Sequence, residues 1–140
     1  MKHTRAVAEE YVKRHEGEVL TPYKDSRGIL TIGVGHNLEM GISKAASDFI
    51  FKEDMDKAEA LLNERCPVFA KLDANRQIVL IDLCFNLGIS GLLGFKKMLA
   101  ALNEGNWNKA AAELMNSKYA KQVPNRAKEN RDVLITGKLK

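Results

Sequence analysis

The stretch Ala74 to Leu87 constrains this chain more than any other, because Ile78, Val79, Leu80, Ile81, Leu83, Cys84, Phe85 and Leu87 leave it almost no polar face. A helix that is apolar all round has to be buried, so other elements must wrap around it. Asp73 supplies the N-cap. Shorter helices are predicted at about Phe95 to Leu102, Trp107 to Met115 and Pro124 to Thr136, with Gly88, Gly91, Gly94 and Gly105 as the joints between them. A chain of 140 residues, 45% hydrophobic, is enough for one ordinary core. With no internal repeat, low-complexity tract or linker, residues 1–140 read as a single domain.

The N-terminal part has a different texture. Val7, Ala8, Tyr11, Val12 and His15 recur at helical spacing opposite Glu9, Glu10, Lys13 and Arg14, which predicts a helix over 4–15. Gly17 supplies a left-handed stop. Glu16 is thereby held at a helix end, beside carbonyls whose partial negative charge disfavours a carboxylate. The tetrapeptide Asp25-Ser26-Arg27-Gly28 has turn composition. Strand alternation after it sends Leu30, Ile32 and Val34 toward a core, and Ile29, Thr31, Gly33 and Gly35 toward a face stripped of bulk. Ser43 then caps a helix to about Arg65, ended before Pro67. Its acidic interruptions at Glu53, Asp54 and Asp56 suit a helix that bridges two lobes, with a solvent-exposed middle and packed ends.

Glu16, Asp25 and Thr31 form a set with recognisable chemistry. Cleaving a glycosidic bond needs a proton donor for the leaving oxygen and a carboxylate on the anomeric side, placed in unlike environments. Glu16 fits the donor and Asp25 the carboxylate. The Thr31 hydroxyl can hold a water against Asp25, which favours an inverting displacement over direct attack.

The spacing of that set, within His15-Glu16-Gly17, Tyr23-Lys24-Asp25 and Thr31-Ile32-Gly33-Val34-Gly35-His36, resembles the catalytic signature of the phage-type lysozymes, the endolysins of glycoside hydrolase family 24. Two further blocks match: Phe85-Asn86-Leu87-Gly88 with Gly91 and Gly94-Phe95, and Pro124-Asn125-Arg126-Ala127. The resemblance implies an α+β, mainly helical, lysozyme-like fold. A small N-terminal β lobe (about 14–60) is joined by a long helix to a larger helical lobe (about 61–140, with the helix 4–15). It implies a muramidase that cuts the β-1,4 bond between N-acetylmuramic acid and N-acetylglucosamine in peptidoglycan and lyses the host cell, as a monomer with no metal or organic cofactor. Arg126 stands where the family brings an arginine toward the catalytic glutamate. Gly33, Asn125 and Phe95 join it as substrate-binding or supporting candidates, and His36 with Asp54 is the implied structural ion pair. The chain stops at Thr136-Gly137-Lys138-Leu139-Lys140, without the final helix of longer members.

Charge bounds the partners. The last 24 residues hold seven basic and two acidic side chains, so the net charge of +4 belongs to the C-terminal end. No zinc spacing or recognition-helix motif accompanies Lys118, Lys121, Arg126, Lys128 and Arg131, which argues against nucleic acid and allows weak contact with a membrane or with anionic wall polymers. Cys66 and Cys84 lack metal or redox spacing. The N-terminus is too charged for a signal peptide, and no run approaches 18 consecutive apolar residues. Synthesis in the bacterial cytoplasm and holin-dependent passage to the wall in the periplasm are therefore expected. Two rivals remain open: a lytic transglycosylase, which needs the acid but neither Asp25 nor Thr31, and a non-catalytic wall-binding or membrane-disrupting module acting through the basic C-terminal helix.

Overall fold

The computed structural model describes residues 4–139, and the chain divides into two compact units, the first ending at Phe49 and the second beginning at Ile50. About 70% of it is helical, with one small sheet, an α+β, lysozyme-like arrangement.

In the first unit, α1 (Arg5–Glu16) starts where the Thr4 hydroxyl accepts the Val7 N–H at 3.4 Å. It ends at Gly17, whose N–H returns to the Lys13 carbonyl at 2.8 Å. Gly17 sits at φ 72°, ψ 178°, so the chain leaves extended instead of curling into the predicted left-handed helical stop. None of α1 is buried: Val7 is 65% and Val12 51% exposed, and the apolar stripe is not packed. Local contacts support the helix instead, with Tyr11 against the His15 ring at 4.4 Å and under the Arg14 guanidinium at 5.5 Å. Helix α1 lies in the first unit.

Strands β1 (Val19–Lys24), β2 (Leu30–Gly33) and β3 (His36–Asn37) follow as an antiparallel meander. Tyr23 pairs with Thr31 and Lys24 with Leu30, but the register slips between Val19 and Tyr23. Pro22, which has no N–H to give, lies in that irregular stretch. Of the residues predicted to face a core, only Ile32 is partly buried. Leu30 and Val34 are exposed, while Thr31, read as facing the open side, is 3% exposed. Three short strands and one helix carry too little apolar surface to bury a full sheet face, and the interior goes to the hydroxyl that the turn holds in place.

Helix α2 (Lys44–Arg65) begins where Ser43 Oγ accepts the Ala46 N–H at 3.1 Å and crosses the point of division. Its buried residues, Ala58 and Leu62, lie in the C-terminal half, and Phe51 meets the Phe85 ring edge-on at 5.7 Å. Phe49, Ile50 and Phe51 stay exposed, so the expected anchoring of both ends holds for one.

The second unit contains α3 (Ala74–Leu93), α4 (Lys96–Asn103), α5 (Trp107–Met115), α6 (Lys118–Gln122) and α7 (Pro124–Thr136). Helix α3 is broken at Gly88 (φ 76°, ψ 167°), so its regular part ends at Leu87, where the sequence put it. Val79, Leu80, Leu83 and Cys84 are core, but Ile78 and Phe85, seven residues apart on one edge, remain over 40% exposed. The all-round burial expected of this helix is thus incomplete. Helix α3 is 20 residues long and, although Arg76 and Asp82 punctuate it, an 18-residue window of it reaches a mean hydropathy of 1.4, the length and composition of a membrane span. The break at Gly88 and the packing of its buried side chains with Leu62, Leu92, Met98, Leu114 and Leu134 place it in the core of this unit.

Candidate active site

Asp25 closes the hairpin between β1 and β2. Its backbone N–H donates to the Ile29 carbonyl at 2.9 Å and its own carbonyl accepts from Gly28 at 2.9 Å. Its side chain folds back over the same turn, where Oδ1 accepts the N–H of Arg27 at 2.8 Å and of Ile29 at 2.9 Å. The Ile29 N–H, joined by the Arg27 N–H and charge, outweighs partial desolvation and holds the carboxyl below its ordinary pKa. Asp25 is therefore a fixed carboxylate whose Oδ2 receives no hydrogen bond from the described residues.

Thr31 is tied to the backbone of the same residue, Ile29. Its hydroxyl donates to the Ile29 carbonyl at 2.8 Å. With its one hydrogen committed there, the oxygen faces any further partner as an acceptor. A water beside the pair can hand one hydrogen to Thr31 and the other to Asp25, leaving its own lone pair free. The residue that organises this is Ile29, through its backbone; a side-chain reading of the sequence misses it, although an Asp followed by a Gly-containing turn is the signal.

Glu16 is the last residue of α1 and is exposed. Its carboxyl lies against Gly35, where a Cβ would come within 2.6 Å of Oε2 and 2.8 Å of Cδ. Gly35 also sits at φ 62°, a region that L side chains rarely adopt. The turn after β2 therefore forms a wall for Glu16 that only glycine can provide. Gly33, a substrate-binding candidate, is at φ 69° with open space where its Cβ would be, so its backbone accounts for the glycine before any substrate does. Glu16, Asp25 and Thr31 all belong to the first unit.

Arg126, near the start of α7, lies in the second unit and forks onto Asp82 of α3. Nε donates to Oδ2 at 2.9 Å and Nη2 to Oδ1 at 2.7 Å. Asn130 Nδ2 donates to the same carboxylate at 2.9 Å and to the Tyr119 hydroxyl at 3.1 Å. Burial pushes the Asp82 carboxyl up, but the bonds from Arg126 and Asn130 and the guanidinium charge prevail and hold it below the usual range. Asp82, Asn130 and Tyr119 were not singled out from the sequence. An acid inside an otherwise apolar helix was the available signal.

The remaining candidates are dispersed. Phe95 packs edge-on against Tyr119 at 6.3 Å and helps line an open cavity of about 580 Å³ with Lys96, Lys118, Glu113 and Gln122. Asn125 is exposed. His36 Nε2 lies 2.8 Å from the Gly41 carbonyl, in the first unit, while Asp54 is in the second. Among the described residues no three His, Cys, Asp or Glu side chains gather to hold a metal. Cys66 and Cys84 are free and buried, and desolvation pushes both thiols up.

Comparison with known proteins bears on this geometry. Residues 13–131 match the family described as Phage lysozyme. Similar proteins include a probable T4-type lysozyme 2 of Dictyostelium discoideum, 31% identical with 92% of this chain and 94% of the relative covered. The endolysin of Salmonella phage P22 is 36% identical over 81% of this chain and 82% of its own. The pre-baseplate central spike protein Gp5 of Enterobacteria phage T4 is 28% identical, with 93% of this chain matching 28% of that protein.

Proposed function

The chain belongs to the phage lysozyme family and is a glycoside hydrolase, and from that premise we propose that it cuts the β-1,4 bond between N-acetylmuramic acid and N-acetylglucosamine in peptidoglycan, with inversion. In this reading Glu16 protonates the leaving oxygen, Asp25 removes a proton from water and Thr31 aims that water at the anomeric carbon. The chain acts on the cell wall as one lysozyme-like domain and lyses the cell.

The observation that carries the reading is the double use of the Ile29 backbone, whose N–H fixes Asp25 and whose carbonyl takes the Thr31 hydrogen. A nucleophilic carboxylate has no need of such a neighbour. A base that must orient water does, because the water has to donate twice and keep its lone pair free. Glu16 is exposed and set beside Gly35, where a bulky polymer can reach its carboxyl. Arg126, Gly33, Asn125 and Phe95 serve as substrate-binding or supporting residues.

The test is to digest purified peptidoglycan in labelled water and follow the new reducing ends by mass and proton NMR. Inverting hydrolysis puts label in every new end and forms the α anomer first from the β-linked glycan. A β anomer first means retention and removes the roles given to Asp25 and Thr31. Unlabelled anhydro ends identify a lytic transglycosylase. Glu16→Gln keeps the fold and loses about 10²- to 10⁴-fold in rate, whereas undiminished lysis by that variant assigns the activity to a non-catalytic module.

A further inference from the structure

The basic side chains of α1 are all engaged away from Glu16. Arg5 Nε meets Glu9 Oε1 at 3.0 Å, the Arg14 guanidinium lies over the Tyr11 ring at 5.5 Å, and His15 Nδ1 is 2.8 Å from the Tyr11 carbonyl. Lys13 Nζ is 3.2 Å from Glu18 Oε1, beyond the end of the helix. Among the described residues the Glu16 carboxyl rests on Gly35 and forms no ion pair.

Lys13 is the cation whose placement bears on the site. Residues three apart on a helix share a face, so Glu16 is the partner that Lys13 would meet by default. Lys13 also lines a groove with Val12 and with Val34, the neighbour of the glycine that walls Glu16. Gly17, at φ 72° and ψ 178°, turns the chain out of the helix, and Glu18 comes alongside Lys13 instead. For stability such a pair counts for little, since its side chains are 56% and 46% exposed. For the acid it counts differently. A cation beside a carboxyl group favours the carboxylate, whereas a general acid has to keep its proton until the leaving oxygen takes it. The turn packed on Glu16 brings no cation of its own that competes: its titratable side chain, His36, has Nε2 on the Gly41 carbonyl, and in the hairpin the Arg27 charge acts on Asp25.

We propose that Glu18 is a positioning residue for the hydrolysis, holding the Lys13 ammonium off Glu16 so that the acid keeps its proton. The inference rests on the reading above that Glu16 is the proton donor. Glu18 touches neither the glycan nor the reacting atoms and acts only through Lys13.

The pH dependence of kcat/KM on soluble peptidoglycan fragments, at low ionic strength and with folding checked by circular dichroism, decides it, because the alkaline limb reports loss of the proton from the acid. Glu18→Gln frees Lys13 to meet Glu16 and should move that limb to lower pH by about half a unit, the size expected of an exposed ion pair. Lys13→Gln alone should leave the limb in place, since it removes a cation already engaged. In the Glu18→Gln background the same substitution should bring the limb back. Salt at about 1 M, where screening acts within about 3 Å, should abolish the shift of Glu18→Gln. An unmoved limb in Glu18→Gln overturns the proposal. So does a rise in Lys13→Gln equal to the fall in Glu18→Gln, which means that the two charges act on Glu16 independently. Undiminished hydrolysis by Glu16→Gln, or none by the unmodified protein, would be a failure of the functional reading itself, and those two arms are measured first.

Discussion

The carboxyl group of Glu16 rests directly on the α-carbon of Gly35, so closely that a methyl group there would overlap it. Helix end and strand turn are thereby matched to each other in the first unit. Because the Glu16 side chain is exposed, it rather than the fold should yield to an added atom.

Gly35→Ala should therefore lose activity out of proportion to stability. Placing alanine at positive φ costs about 1–2 kcal/mol, and the displaced carboxyl costs at least about tenfold in kcat. Gly41→Ala, at φ 74° with open space around its Cβ, is the control for backbone strain. Melting temperatures and kcat of both variants separate the two effects; equal kcat losses would remove Gly35 from the site.

Thr31 allows a finer test of who donates to whom. Thr31→Ser retains the hydroxyl and should keep activity within about tenfold, while the isosteric Thr31→Val should lose about 10²-fold or more. The valine variant also leaves the Ile29 carbonyl one donor short, though Asp25 N–H still reaches it, so the stability loss should be only about 1 kcal/mol. Comparable kcat values for serine and valine would show that the hydroxyl holds no water.

Asp82 should make stability depend on pH in one direction. Folding lowers its pKa, so the unfolded state binds more protons in acid, and the contribution is present above the unfolded carboxyl pKa and lost as pH falls through the folded one. Melts of the parent and of Asp82→Asn should differ most near neutrality, by no more than about 1 kcal/mol because the pair is more than a third exposed on the arginine side, and converge in acid. A gap that stays constant from neutral to acid pH would contradict the pairing.

Arg76 is the position whose loss should cost most in the second unit. It is 8% exposed, donates to the Leu134 and Ile135 carbonyls and to Asp73, and lies 3.9 Å from the centroid of Trp107. It also fills the space beside Gly137, the left-handed residue that ends α7. Arg76→Met fills similar volume but strands those carbonyls, and denaturant melts should show a loss of about 2–4 kcal/mol. A loss under about 0.5 kcal/mol would mean that water replaces the guanidinium at no cost.

The sequence by itself determined the elements and the chemical kit. Apart from the five-residue α6 (Lys118–Gln122), which was not read from the sequence, a helix end at Glu16, a turn at Asp25, a break at Gly88 and the positions of α3, α4, α5 and α7 are local properties, set by capping residues, glycines and the spacing of apolar side chains within a few residues. So was the chemistry of Glu16, Asp25 and Thr31, because a proton donor, a carboxylate and a hydroxyl are legible as residue types. Burial was decided only in three dimensions. Alternation assigned Leu30 and Val34 to a core and Thr31 to the open face, and the structure reversed this, since which face of a strand is covered depends on what lies over it and not on the strand. Partner choice was equally tertiary: Arg126 forks onto Asp82 across 44 residues of chain, and Arg76 reaches carbonyls 58 and 59 residues away. Such pairs carry no signal in local spacing, because what joins them is the packing of α3 against α7. Ile29 falls between the two cases, its backbone fixing Asp25 and Thr31 at once by a local turn whose effect becomes visible only when main-chain groups are counted along with side chains.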